Sequence, residues 1–136
     1  MHKFTRSLGL TLASVGCAAS MALSTATPAG AAKTALMVNG FGAGDLNFLE
    51  MASLLGGMFG SYQRVNVSWP QQARPLTGSE SLLLGESIAV GAGNLDAALD
   101  TALAQLKPGE HVTLVGLSAG ALVVDEVLRI LLSSPE

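Results

Sequence analysis

The stretch His111-Val112-Thr113-Leu114-Val115-Gly116-Leu117-Ser118-Ala119-Gly120-Ala121-Leu122-Val123-Val124 decides the fold. His111 to Val115 is a short, mostly apolar and β-branched run, and the Pro108-Gly109 turn opens it, so it reads as a buried strand. From Ala119 onward, Leu122, Val123, Val127, Ile130 and Leu131 recur at the spacing of the buried side of a helix. Strand therefore gives way to helix inside Gly116-Leu117-Ser118-Ala119-Gly120, a bend tight enough to need small residues on both sides of Ser118.

The same alternation extends toward the N-terminus. Thr34 to Asn39 is a nearly continuous apolar run ended by glycines, as expected of a central parallel strand covered on both faces. Asp45 stands at an N-cap position, and Phe48, Met51, Ala52, Leu55 and Phe59 then recur at helical spacing, which predicts a crossover helix ending at Gly60. Arg64 to Ser68 alternates apolar and polar residues until Trp69-Pro70 stops it, because Pro cannot donate to a ladder; this is an outer strand. Beyond Pro75, the residues from Ser79 to Leu106 read as helical, with an apolar stripe of Leu95, Leu99, Leu103 and Leu106 and a break or kink at Gly91 and Gly93. Right-handed crossovers then give an α/β sandwich: a short parallel sheet of about three strands flanked by helices, with the first strand between the other two. No internal repeat or low-complexity block interrupts it.

Composition bounds the function. A net charge of -3 offers no basic field for phosphate backbones, and one Tyr and one Trp make no stacking platform for bases, so nucleic acid is excluded as a partner. With 136 residues, 49% of them hydrophobic, there is room for one modest domain whose stability depends on completing its sheet.

Lys3 and Arg6 precede an apolar run from Leu8 to Leu23, and Ala29-Gly30-Ala31 supplies the small residues of a signal-peptidase site. Residues 1–32 are therefore expected to be an export signal, cleaved after Ala31 or Ala32, and residues 33–136 the domain. A retained membrane anchor is disfavoured because Ser, Thr and Gly dilute the run below the roughly 20 strongly apolar residues of a span. Cys17 loosely matches a lipoprotein attachment box, but Ser14 stands where such a box has Leu, so a secreted or envelope location without lipidation is the favoured expectation. Once the leader is gone no cysteine remains to form a disulfide.

The glycine-flanked serine carries chemistry. A serine hydroxyl is a poor nucleophile unless a base takes its proton and the oxygen is held clear of the backbone, and a Gly-x-Ser-x-Gly elbow supplies the second condition. Gly116 and Gly120 are the elbow glycines and Ser118 the candidate nucleophile. The backbone N–H of Ala119, at the N-terminus of the following helix, would face a developing oxyanion. Gly40-Phe41-Gly42-Ala43-Gly44 follows the central strand, where such folds place the second donor, so the N–H of Phe41 or Gly42 is expected to provide it. No metal site and no cofactor are expected. The same glycine loop also suits a dinucleotide pyrophosphate, but the third glycine position falls on Asp45, and no acidic residue ends the second strand.

Four segments together resemble the PE-PPE domain, an α/β serine hydrolase family related in fold to cutinases and lipases. They are Leu36 to Gly44, the strand before Trp69-Pro70, Gly85-Glu86-Ser87-Ile88-Ala89-Val90-Gly91, and Val115 to Val124. The last is the most specific. The resemblance implies an esterase or acyltransferase acting on acyl-ester or lipid-like substrates at the cell envelope, with Ser118 as nucleophile and an Asp and a His downstream. Eighteen residues follow Ser118 and none is His. His111 opens the strand that Ser118 closes, roughly 20 Å away at about 3.3 Å per residue, and is expected at the surface. His2 lies in the leader. Asp125 sits two helical turns past Ser118 and reads as a solvated charge. No Ser-His-Asp relay assembles from these residues, so negligible ester hydrolysis is expected of the chain alone. Two readings follow: the N-terminal part of a longer hydrolase domain, or a non-catalytic envelope protein that keeps the shape and binds acyl chains or partners.

Overall fold

A computed structural model describes residues 11–14 and 33–134, and four strands and three helices lie among them. The strands are β1 (Thr11–Ser14), β2 (Lys33–Val38), β3 (Gln63–Asn66) and β4 (His111–Gly116); the helices are α1 (Phe48–Gly57), α2 (Leu84–Ala104) and α3 (Gly120–Ser133). All strand pairs are parallel and the sheet order is β1-β4-β2-β3. The partial α/β sandwich read from the sequence is therefore present, with β2 between β4 and β3 as expected. The fourth strand, β1, pairs Thr11 with Thr113 through Ser14 with Gly116. It falls within the run read as an export signal, whose other residues lie outside the described ones.

Side chains alternate across a parallel strand buried on both faces, so each of β2 and β4 feeds two cores. Leu36, Val38, Val112 and Leu114 point into the larger core, where α2 contributes Ala92, Leu95 and Leu99 and α3 contributes Val123, Val124 and Val127. Ala35, Met37 and Val115 point the other way, onto Met51 of α1 and Phe59. Full burial of a Leu or Val side chain stabilises by about 1.5–3 kcal/mol. Leu36, Leu95, Leu99, Leu114, Val115 and Val123 are at most 1% exposed, so the sheet centre is where that stabilisation concentrates.

Three local expectations are corrected. Asp45 does not cap α1; Asn47 does, its Oδ1 accepting from the amides of Leu49 and Glu50 at 3.0 and 2.9 Å while Glu50 Oε2 accepts from the Asn47 amide at 2.8 Å. The reciprocal bonds satisfy more of the first turn than Asp45 would from two residues upstream. Asp45 instead accepts from Ser68 Oγ at 2.6 Å. Gly91 and Gly93 do not break the second helix, which runs unbroken from Leu84 to Ala104. Gly91 is there for room, since a Cβ on it would lie 2.8 Å from Trp69 Cβ and 3.0 Å from Val123 Cγ2. Helical structure also begins at Leu84 rather than Ser79, because residues 71–83 form a turn held by Ser87 Oγ, which accepts from the Gln72 amide at 3.0 Å.

Candidate active site

Parallel strands all end at one edge of the sheet, and backbone groups freed there face the same crevice. β4 delivers Ser118 to that edge and β2 delivers Asn39 and Gly40 beside it. The two ends are tied by the Leu117 amide donating to Val38 O at 2.9 Å.

The chain turns sharply between β4 and α3. Ser118 holds φ at +50°, a left-handed conformation that costs a non-glycine residue roughly 1–2 kcal/mol, and its side chain stands exposed. The flanking glycines are required sterically. A Cβ on Gly116 would come within 2.5 Å of Ala121 Cα, and one on Gly120 within 2.3 Å of Val38 O and 2.6 Å of Asn39 O. Gly40 packs closely but less tightly, since a Cβ there would lie 3.1 Å from Ser118 Cβ and 3.6 Å from Ser118 Oγ. The three glycines let β2, the elbow and the start of α3 meet backbone to backbone.

The amides around Ser118 divide into used and free. Gly120, Ala121 and Leu122 donate to the carbonyls of Leu117, Ser118 and Ala119 at 2.8, 3.0 and 3.0 Å, closing the first turn of α3. The Gly40 amide donates to Asn39 Oδ1 at 2.9 Å. Among the described residues no acceptor meets the amides of Ala119, Phe41 or Gly42. An unsatisfied donor at a helix N-terminus, as at Ala119, lies at the partly positive end of the helix dipole and suits a negative oxygen. Each of the three expected donors is thus unengaged, Ala119 next to the serine in the chain and Phe41 and Gly42 in the loop after Gly40.

The loop carrying Phe41 and Gly42 is fixed by residues that the sequence reading did not single out. Asn39 Nδ2 donates to Gly44 O at 2.8 Å, across the loop. Trp69 Nε1 donates to Asn39 O at 2.7 Å from a buried position, and its ring meets Phe41 with centroids 5.5 Å apart. Gln71 grips Gly44 twice, Nε2 donating to its carbonyl at 3.0 Å and Oε1 accepting from its amide at 3.2 Å. The only trace of this in the sequence is Asn39-Gly40, a pair common in side-chain-capped turns. Nothing local announces that Trp69 and Gln71 will reach back some thirty residues.

Other expected positions lie apart. His111 starts β4, at the end of the sheet opposite Ser118, and Asp125 is exposed on α3. Among the described residues no imidazole or carboxylate hydrogen bonds Ser118 Oγ, and no group of three or more His, Cys, Asp or Glu side chains is arranged to hold a metal. A cavity of about 370 Å³ opens at the amino ends of the strands, lined by Thr34, Gln63, Lys107 and Glu110 among others, remote from the elbow.

Comparison with known proteins gives one finding. The model of the PE-PPE domain family matches residues 60–136, more than half of the chain and the part that holds β3, α2, β4, the elbow and α3. No curated protein matches, and no solved structure does.

Proposed function

The chain belongs to the PE-PPE domain family, and we propose that it is a serine acyl-ester hydrolase or acyltransferase domain with Ser118 as its nucleophile. The observation that carries this reading is the exposed Ser118 at φ +50°, followed by the unengaged Ala119 amide and packed against Gly40, the first residue of the loop whose Phe41 and Gly42 amides are also unengaged. Ser118 Oγ attacks the ester carbonyl carbon as its proton passes to a base. The carbonyl π electrons move onto oxygen, and the Ala119 amide with that of Phe41 or Gly42 stabilises the resulting oxyanion. Collapse expels the alcohol, which takes the proton, and leaves an acyl-serine. Water then releases the acid, or a second alcohol takes the acyl group. Lys3 and Arg6, the apolar stretch after them and Ala29-Gly30-Ala31 support delivery to the envelope or beyond, where lipid-like esters are the substrate class.

Among the described residues no side chain hydrogen bonds Ser118 Oγ to take its proton. This favours a second reading, a hydrolase-shaped protein that binds acyl chains without cleaving them. A fluorophosphonate probe separates the two. Adduct formation at residue 118, lost in Ser118→Ala, is expected of the nucleophile. No adduct even with imidazole added as a surrogate base would leave binding as the function.

A further inference from the structure

Loop 40–44 has three glycines in five residues, and Gly42 and Gly44 stand at φ +68° and +67°. Such a segment has no conformational preference strong enough to hold an amide on target, so its placement must come from outside. We infer that Gln71 is a positioning residue, which holds this loop so that the Phe41 or Gly42 amide faces the oxygen of a substrate attacked by Ser118. The inference rests on the reading of Ser118 as nucleophile.

The two ends of the loop are held by different means. At its start, Gly40 lies against Ser118 and Asn39 O receives the buried Trp69 indole N–H, so β2 and the core fix that end. At its far end, Gly44 is outside the core and exposed. Just past it Asp45 accepts from Ser68 Oγ and the Leu46 amide donates to Asn66 Oδ1, but on Gly44 itself the restraints are the side-chain amides of Asn39 and Gln71, and Gln71 alone engages both its N–H and its C=O. A primary amide that donates and accepts at once imitates one rung of a sheet, and it fixes the orientation of the peptide plane as well as its position. Gln71 itself sits at φ +55°, a conformation glutamine has no intrinsic reason to adopt. The conformation keeps the side chain turned toward Gly44 across a separation of 27 residues.

That backbone angle supplies the test. Asn and Gly tolerate positive φ better than Gln, so Gln71→Asn and Gln71→Gly suit the backbone while shortening or removing the reach to Gly44. The rate of Ser118 phosphonylation by a fluorophosphonate, with imidazole supplied, is measured on the full chain beside the thermal midpoint. Labelling slowed roughly tenfold to a hundredfold in both variants, at an unchanged or higher midpoint, is the expected result. Wild-type rates in both variants would overturn the role of Gln71 and leave the nucleophile standing. Rate and midpoint falling together would make Gln71 a fold residue only, also overturning it. Failure of the wild-type chain to label would overturn the nucleophile reading and the positioning role with it.

Discussion

At Gly116, Gly120 and Gly42 the absence of a side chain serves two different ends, and the difference is measurable. Gly42 needs its positive φ but nothing lies within 4 Å of where a Cβ would stand, so Gly42→Ala is expected to cost about 1–2 kcal/mol through backbone conformation alone. Gly120 has an unremarkable helical conformation, yet a Cβ there would press on Val38 O and Asn39 O at 2.3 and 2.6 Å. Gly120→Ala must push β2 away from α3, and a loss of at least about 1–3 kcal/mol in urea unfolding is expected, with the elbow displaced as well. Gly116→Ala should behave like Gly120→Ala, since its obstacle is also backbone. If both alanine variants unfold at the wild-type denaturant concentration, the close approach of strand, bend and helix is wrong. The Gly-x-Ser-x-Gly pattern was legible as a bend from the sequence because the constraint is local. That Gly40 also abuts Ser118 was not, because β2 is brought there by pairing with β4.

Among the elements, α1 and α2 are stabilised in contrasting ways. α1 is short, bends at Leu54 to Gly56, and buries little beyond Met51, so its start depends on the reciprocal bonds between Asn47 and Glu50. Asn47→Ala is expected to lower stability by about 1 kcal/mol, read as a shift of the unfolding midpoint. α2 has an apolar N-cap, Leu83, whose side chain caps nothing, and only Glu86 Oε2 reaches back to accept from the Leu83 amide at 2.8 Å; burial holds this helix, with Leu95 and Leu99 at 0% and 1% exposure against the sheet. Leu99→Ala should cost about 2–5 kcal/mol, a larger loss than removing the α1 cap; the reverse order would contradict the core described here. The Leu stripe of α2 was readable because helical spacing is a property of the chain. The continuity of α2 through Gly91 was not, because what makes glycine favourable there is Trp69 and Val123 on other elements.

On the scale of the whole molecule, the sheet has two inner strands, β2 and β4, and a four-residue strand at each edge. β2 meets β4 and β3, and β4 meets β2 and β1. In a parallel ladder successive residues bond to opposite neighbours, so a chain beginning at Lys33 should show faster hydrogen exchange at every second amide of β4 and unchanged protection at those facing β2. Uniform protection along β4 in the shortened chain would mean that β1 is no lasting part of the sheet. Chemistry on the same scale depends on a proton acceptor. Added imidazole is expected to raise Ser118 labelling by a fluorophosphonate in the 136-residue chain, and Ser118→Ala to abolish it.

From the sequence alone came the alternation of strand and helix, the central place of the strand read at Thr34 to Asn39, the bend at Ser118 and the membership of an α/β class, all consequences of side-chain periodicity and of glycines within five residues of one another. Tertiary structure decided which amides stay free, that Asn39, Trp69 and Gln71 clamp the loop after β2, that Gly40 packs tightly on Ser118, and why Gly91 and Gly120 admit no side chain. Those facts depend on atoms far apart in the chain meeting at distances near 3 Å, which a local pattern does not encode.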